Sequence, residues 1–207
     1  MRTKIIKIDP ARPGPAYSRC RDVVAKGGVI AYPTDTFYGL GADPGNPAAV
    51  RRLFEIKGRE TDQPILLLLS DAREVNNWAA GVTPQASVLM NRFWPGPLTL
   101  VFKAKAGVLP ELTAGAGTIG LRVPGNGFTL DLLRSLGGVL TGTSANLSGR
   151  PSLRTAREAA EALGPLVDLV LDGGETTGGK PSTVVDVSAD APRVLREGAV
   201  SSRDITG

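Results

Sequence analysis

The run Ile65-Leu66-Leu67-Leu68-Leu69 is apolar at every position and too short for an independent helix. It predicts a strand buried on both faces at the centre of a sheet. Around it, short β-rich runs alternate with helical patterns, which predicts an α/β layer architecture on one sheet. Further strands are expected at 5–8, 29–32, 98–102, 119–123, 139–141, 169–171, 183–185 and near 194–195. Helices are expected over 16–26, where Tyr17, Cys20 and Val24 recur at helical spacing before Gly27-Gly28, and after Asn46-Pro47, where Val50, Leu53, Phe54 and Ile56 form an apolar stripe. Thr83-Pro84 opens another, running to Phe93, and 128–136 and 155–163 complete the set. No repeat, low-complexity tract or linker-like shift divides the 207 residues, so one domain over 1–207 is expected.

The side-chain inventory narrows the chemistry. There is no histidine, which removes imidazole bases and the commonest transition-metal ligand, and Cys20 is the single cysteine, so an internal disulfide and a thiolate cluster are excluded. No residue is assigned to a metal. Carboxylates, hydroxyls, Lys, Arg and backbone amides remain, a set suited to holding phosphates and carboxylates. A net charge of +4 points the same way, toward anionic partners. The N-terminal residues Met1 to Ile6 lack the long apolar stretch and cleavage site of a secretory signal, and no apolar run reaches the ~18 residues of a membrane span. A soluble cytoplasmic protein that begins as it stands, with no membrane partner, is expected.

Two phosphate-loop patterns fail on context. Residues 115–120 satisfy G-x-G-x-x-G, and residues 174–180 match a P-loop as far as Lys180, but each leads into an expected strand instead of a helix, and Pro181 stands where a magnesium-binding hydroxyl belongs. Asn146-Leu147-Ser148 is a formal glycosylation sequon expected to be inert. Three other stretches concentrate polar residues with Gly and Pro directly after regular elements: 32–41, 57–64 and 143–152. Each could equally be an ordinary turn, or a solvated charged loop at a helix end. Arg122 and Arg196 fall within strand-like runs, where a guanidinium either reaches the surface or is held in a cleft.

Taken in order, residues 32–41, Lys57-x-Arg59, the segment 94–99, Arg122-Val123-Pro124, Thr143-Ser144-Ala145-Asn146, the segment 182–186 and Arg196-Glu197-Gly198 resemble the YrdC-like threonylcarbamoyl-AMP synthases over nearly the whole chain. The resemblance implies an open, twisted mixed sheet with flanking helices and a basic concave face. It also implies a nucleotidyl transfer in which L-threonine, bicarbonate or CO2, and ATP give threonylcarbamoyl-AMP and pyrophosphate. Magnesium would be carried by the nucleotide, tRNA would be a further partner, and a separate transferase complex would use the product to modify tRNA. By position, it implies that Thr34, Leu68, Arg122, Gly142 and Ser182 form a threonine pocket. It likewise implies that Arg59, Gln63, Thr118, Ser144, Ser152 and Arg196 contact ATP and that Lys57 and Arg59 act on the reacting phosphates. Gln63, Glu60 and Leu68 depart from residues common in relatives, where Asn, Pro and His respectively occur.

Two rivals belong to other classes: a non-catalytic RNA-binding module and an enzyme passing carbamoyl groups from carbamoyl phosphate. Single-strand RNA readers display aromatic platforms, and this chain holds 5% aromatics, with Phe37 and Tyr38 adjacent.

Overall fold

A computed structural model describes residues 4–58 and 63–206. Among them, ten strands form one sheet in the order β1-β8-β2-β3-β7-β4-β6-β5-β9-β10. These are β1 Ile5–Lys7, β2 Ile30–Tyr32, β3 Gly39–Gly41, β4 Leu66–Leu69, β5 Leu98–Lys103, β6 Thr118–Arg122, β7 Val139–Ser144, β8 Leu169–Asp172, β9 Thr183–Asp186 and β10 Arg193–Arg196. The sheet is mixed. The all-leucine β4 lies inside it, antiparallel to β7 and parallel to β6.

The side-chain period of two sorts the strands onto two faces. Leu67, Leu69, Leu98, Leu100, Phe102, Ile119 and Leu121 point to one face and join Val50, Leu53 and Leu89 from α2 (Pro47–Lys57) and α4 (Pro84–Phe93) in one apolar cluster. The neighbouring positions point the other way. There, Ile30, Tyr32, Leu68, Leu140 and Leu169 pack with Tyr17 and Cys20 of α1 (Gly14–Ala25) and Leu132 and Leu133 of α6 (Gly127–Ser135). Burying each large aliphatic side chain contributes about 1.5–3 kcal/mol. Helix α1 covers this face over β8 and β2, and α6 covers it over β7 and β4. Over β5, β6 and β9 the same face carries Thr99, Val101, Thr118, Gly120, Arg122 and Val184, which line a hollow.

The expected caps form. Asn46 Oδ1 accepts from the amides of Ala48 at 3.1 Å and Ala49 at 3.2 Å, and Gly58 closes α2 in the left-handed conformation. Thr83 Oγ1 accepts from Ala86 N at 3.1 Å, and Thr155 with Glu158 forms a capping box at α7 (Ala156–Leu163). Both rejected phosphate loops lead into strands, β6 and β9.

Several expectations need correction. Residues 39–41, expected as loop, form β3, because Tyr32 and Leu140 lie across them: a Cβ on Gly41 would stand 2.4 Å from Leu140 Cδ2 and 2.7 Å from Tyr32 Cε1. Glycine is required there by close approach, and its low strand propensity hides the strand. Strand β7 runs on to Ser144, so Thr143 and Ser144 belong to the sheet edge of the third polar stretch. Three short helices were also not expected: α3 (Val75–Trp78), α5 (Pro110–Thr113) and α8 (Ser202–Thr206). None is long enough to show a helical period.

Candidate active site

The hollow encloses about 410 Å³, enough for a small organic ligand. Its floor is set by strand register. Leu68 lies between Leu140 on β7 and Arg122 on β6, so one row of the sheet passes from two leucines to a guanidinium. Gly142 faces Leu66 and Leu68 so closely that a Cβ would lie 2.8 Å from Leu66 Cδ1 and 2.9 Å from Leu68 Cγ. Leu66, Leu68 and Gly142 therefore make an apolar, closely packed floor beneath polar walls.

One wall is the turn after β2. The Thr34 hydroxyl donates to Phe37 O at 2.7 Å and accepts from the amides of Thr36 at 3.2 Å and Phe37 at 3.3 Å. Its proton and its lone pairs are committed within the turn, so Thr34 shapes this wall and offers a ligand no free donor. The Thr36 hydroxyl, 3.1 Å away, is then the donor between the two and turns its lone pairs outward. Arg122, 4% exposed, donates Nε–H to Gly96 O at 2.9 Å and pairs through Nη2 with the Asp35 carboxylate.

The opposite wall joins β5, β9 and β10. Ser182 and Thr99, both buried, share a hydroxyl hydrogen bond of 3.0 Å. Arg196 donates to Ser182 O at 2.9 Å. Partial desolvation first, and then the charge on Arg122, push the Arg196 pKa below its ordinary value. A guanidinium partly shielded from water, facing another, favours an anion between them. Phenolate chemistry is disfavoured: burial pushes the Tyr38 hydroxyl up to about 12, and its proton is donated to Gly174 O at 2.8 Å. Burial also raises the pKa of Tyr32, whose hydroxyl donates to Thr141 O at 2.9 Å.

Lys57 ends α2 and is buried behind the third wall. Its Nζ donates to Ser144 O at 2.7 Å, Ser144 Oγ at 3.1 Å and Asn146 Oδ1 at 2.7 Å, and its own carbonyl accepts from Ser148 N at 2.9 Å. Asn146 Nδ2 in turn donates to Arg150 O. The ammonium thus fixes the end of β7 that carries Ser144 to the hollow, and the loop that follows it, while the lining itself does not include Lys57.

The hollow brings together nine of the expected residues: Thr34, Leu68, Arg122, Gly142 and Ser182 with Thr118, Ser144, Ser152 and Arg196. Gln63 is exposed and outside the lining, where Pro64 stands instead. Arg59 lies outside the described residues. Sequence reasoning did not single out Asp35, Thr36 or Thr99. A signal existed for Thr99: on β5 and β6 the polar or small residues Thr99, Thr118, Gly120 and Arg122 alternate with apolar ones, which marks one face of the sheet as uncovered. Among the described residues, no group of three or more His, Cys, Asp or Glu is placed to hold a metal, and no helix is long and apolar enough to cross a membrane.

Comparison with known proteins follows the same lines. The Sua5/YciO/YrdC family model, described as telomere recombination, matches residues 22–198. The chain belongs to this family. Threonylcarbamoyl-AMP synthase of Bacillus subtilis is 36% identical over 92% of this chain and 56% of its own length. The protein of the same name from Thiobacillus denitrificans is 41% identical over 83% of this chain and 89% of its own. The crystal structure of Pyrococcus abyssi Sua5 complexed with L-threonine superposes with a TM-score of 0.94 at 34% identity, covering 98% of this chain and 60% of that one. The chain thus spans little more than half the length of several curated relatives it matches. Family membership accounts for the mixed open sheet with flanking helices and for the order of the motifs around the hollow.

Proposed function

We propose that the chain is an L-threonylcarbamoyladenylate synthase, acting as one YrdC-like unit on L-threonine, bicarbonate or CO2, and ATP. One observation carries this reading. Nine residues scattered from 34 to 196, matched to the threonine and nucleotide pockets by resemblance, line a single hollow with two guanidiniums in it. The names of the relatives support the same activity.

The chemistry suits a site without histidine. The threonine amine adds to the carbon of CO2, forming a C–N bond, and the nitrogen loses its proton to solvent. A carbamate oxygen then attacks the ATP α-phosphorus, the bond from that phosphorus to the bridging oxygen breaks, and pyrophosphate leaves. The carbamate is already anionic, so the second step needs no base; it needs two anions held together against their repulsion. Arg122 is assigned to the amino-acid carboxylate and Arg196 to the nucleotide, with Arg59 and Gln63 as further nucleotide contacts. Lys57 acts through Ser144 and the loop that follows it. Magnesium arrives with ATP, as phosphoryl-type transfers usually require. The floor of Leu66, Leu68 and Gly142 takes the threonine methyl, and Thr36 and Ser182 are the hydroxyls open to its hydroxyl. The product is handed to a separate transferase complex for tRNA modification in the cytoplasm, with tRNA reaching the basic face.

The RNA-binding alternative is weakened at the Phe37-Tyr38 pair: Tyr38 is fully buried and its ring is closed to a base. The decisive experiment incubates the protein with ATP, Mg2+, labelled bicarbonate and each amino acid in turn. A labelled adenylate with L-threonine, and pyrophosphate in equal amount, is expected. Salt-sensitive RNA binding without ATP consumption, or pyrophosphate release driven by carbamoyl phosphate, would overturn it.

A further inference from the structure

Asp35 is not part of the lining, yet it touches the most buried charge in the hollow. Its carboxylate, with a side-chain exposure of 15%, pairs with Arg122 Nη2, while Gly96 O takes the Nε–H. Two edges of the guanidinium are thereby fixed. Among the described residues, Nη1 has no protein partner, and it is the remaining edge of a side chain that lines the hollow.

The backbone that carries this carboxylate is itself tied down. Thr177 Oγ1 donates to Asp35 O at 2.7 Å, and Gly178 N donates to Thr36 O at 2.8 Å, so the loop between β8 and β9 straps the turn down. On the far side, a Cβ at Gly125 would stand 3.1 Å from Asp35 Oδ2 and 3.4 Å from the Gly96 Cα. Gly125 leaves the space the carboxylate occupies. Arg196, by contrast, is met in the hollow by the neutral Ser182 oxygens.

We propose that Asp35 is a positioning residue for amino-acid binding: together with Gly96 O it clamps Arg122 so that Nη1 is presented to the ligand α-carboxylate, and it balances the Arg122 charge so that this end of the hollow takes a monoanion. This rests on the assignment of Arg122 to the threonine carboxylate. A freely rotating guanidinium would lose the fixed fork that makes carboxylate recognition directional.

The test measures binding of L-threonine and of L-threoninamide, which lacks the carboxylate charge, to the unaltered protein and to Asp35→Asn by calorimetry, with ATP affinity as a control. Asp35→Asn is expected to weaken L-threonine about tenfold or more, the scale of one charge-assisted hydrogen bond. Threoninamide and ATP should change less than about twofold. In steady state, KM for threonine should rise with kcat nearly unchanged. Because removing one member of a buried ion pair destabilises a fold, Gly125→Ala gives a second variant that keeps the charge and displaces the carboxylate by a few tenths of an ångström. It should weaken L-threonine by about two- to fivefold and leave threoninamide alone, as small misplacements do. Equal losses for threonine and threoninamide, or no loss for either in both variants, would overturn the positioning role. Failure of the unaltered protein to bind L-threonine would overturn the assignment of Arg122 as well, and so separates the two ideas.

Discussion

One face of the sheet does two jobs. From β1 across to β4 it carries Leu171, Leu169, Ile30, Tyr32, Leu140 and Leu68 under α1 and α6; toward β6, β5 and β9 it carries Arg122, Thr99, Thr118 and Val184, which no helix among the described residues covers. The backbone lattice is continuous between them, and a single row passes through Leu140, Leu68 and Arg122. What differs is whether the side chains at alternate positions need a cover. Most of the leucines do, and lie under a helix; Thr, Gly and Arg do not, and leave a concavity floored by Leu66 and Leu68 whose polar groups are fixed by the sheet beneath. A site built this way draws its rigidity from strands and its chemistry from the polar residues at alternate positions along them.

This contrast predicts that substitutions in the two halves fail in different ways. The largest effect is expected from Leu133→Ala in α6, where Leu133 is fully buried against the covered half. It should lower unfolding stability by about 2–5 kcal/mol, through lost burial plus a residual cavity. Chemical denaturation checks this, and activity per folded molecule should be unchanged. A matching loss of specific activity would show that the halves are not separable.

Next come Arg196→Ala and Lys57→Ala on the open side. Loss of one charge-assisted contact, about 1.5–3 kcal/mol, corresponds to one to two orders of magnitude in threonine-dependent pyrophosphate release. For Arg196, whose partners are the Ser182 oxygens at a solvent-facing edge, the unfolding midpoint should hardly move. Lys57 should differ. Its buried ammonium holds Ser144 and Asn146, so its removal should lower both activity and stability. Full activity in both variants would take them out of the mechanism.

Selectivity gives a smaller effect. Valine leaves the open hydroxyls of Thr36 and Ser182 unpaired, whereas serine lacks only a methyl against Leu66 and Leu68, about 1–3 kcal/mol. Serine should therefore be accepted at a reduced kcat/KM and valine rejected more strongly, measured by adenylate formation. Equal rejection of the two would remove the hydroxyl pairing.

The covered half was the more legible in the sequence, because leucine runs and helical stripes state burial directly. Positions such as Ile65 to Leu69, the Asn46 and Thr83 caps and the helix carrying Cys20 follow from local chemistry alone. The open half was legible chiefly through the ordered set of motifs, since Thr34, Ser144 and Ser182 look like turn residues until distant strands bring them together. Asp35 shows why the remainder was hidden: its partner Arg122 is 87 residues away, and nothing local distinguishes it from any acidic turn residue. Strand β3 was hidden for the opposite reason, since the packing that makes Gly39 and Gly41 a strand belongs to Tyr32 and Leu140.

The smallest expected effect ties the halves together through Cys20. This thiol is fully buried beneath α1, and burial pushes its pKa up to about 12, so at pH 8 it is both inaccessible and protonated. Thiolate is the reactive form, so an alkylating reagent should label Cys20 only when the covered half opens. If the two halves unfold together, a ligand in the open half must slow that labelling, because binding to the folded state alone stabilises it by RT ln(1 + [L]/Kd). With ATP and L-threonine at about ten times their dissociation constants, each contributes roughly 1.4 kcal/mol, a decade apiece in labelling rate. Leu133→Ala should raise the basal rate and preserve that ligand-dependent ratio. A labelling rate indifferent to ligand would mean that α1 and α6 open while the hollow stays intact, and the shared sheet would then transmit less than its continuity implies.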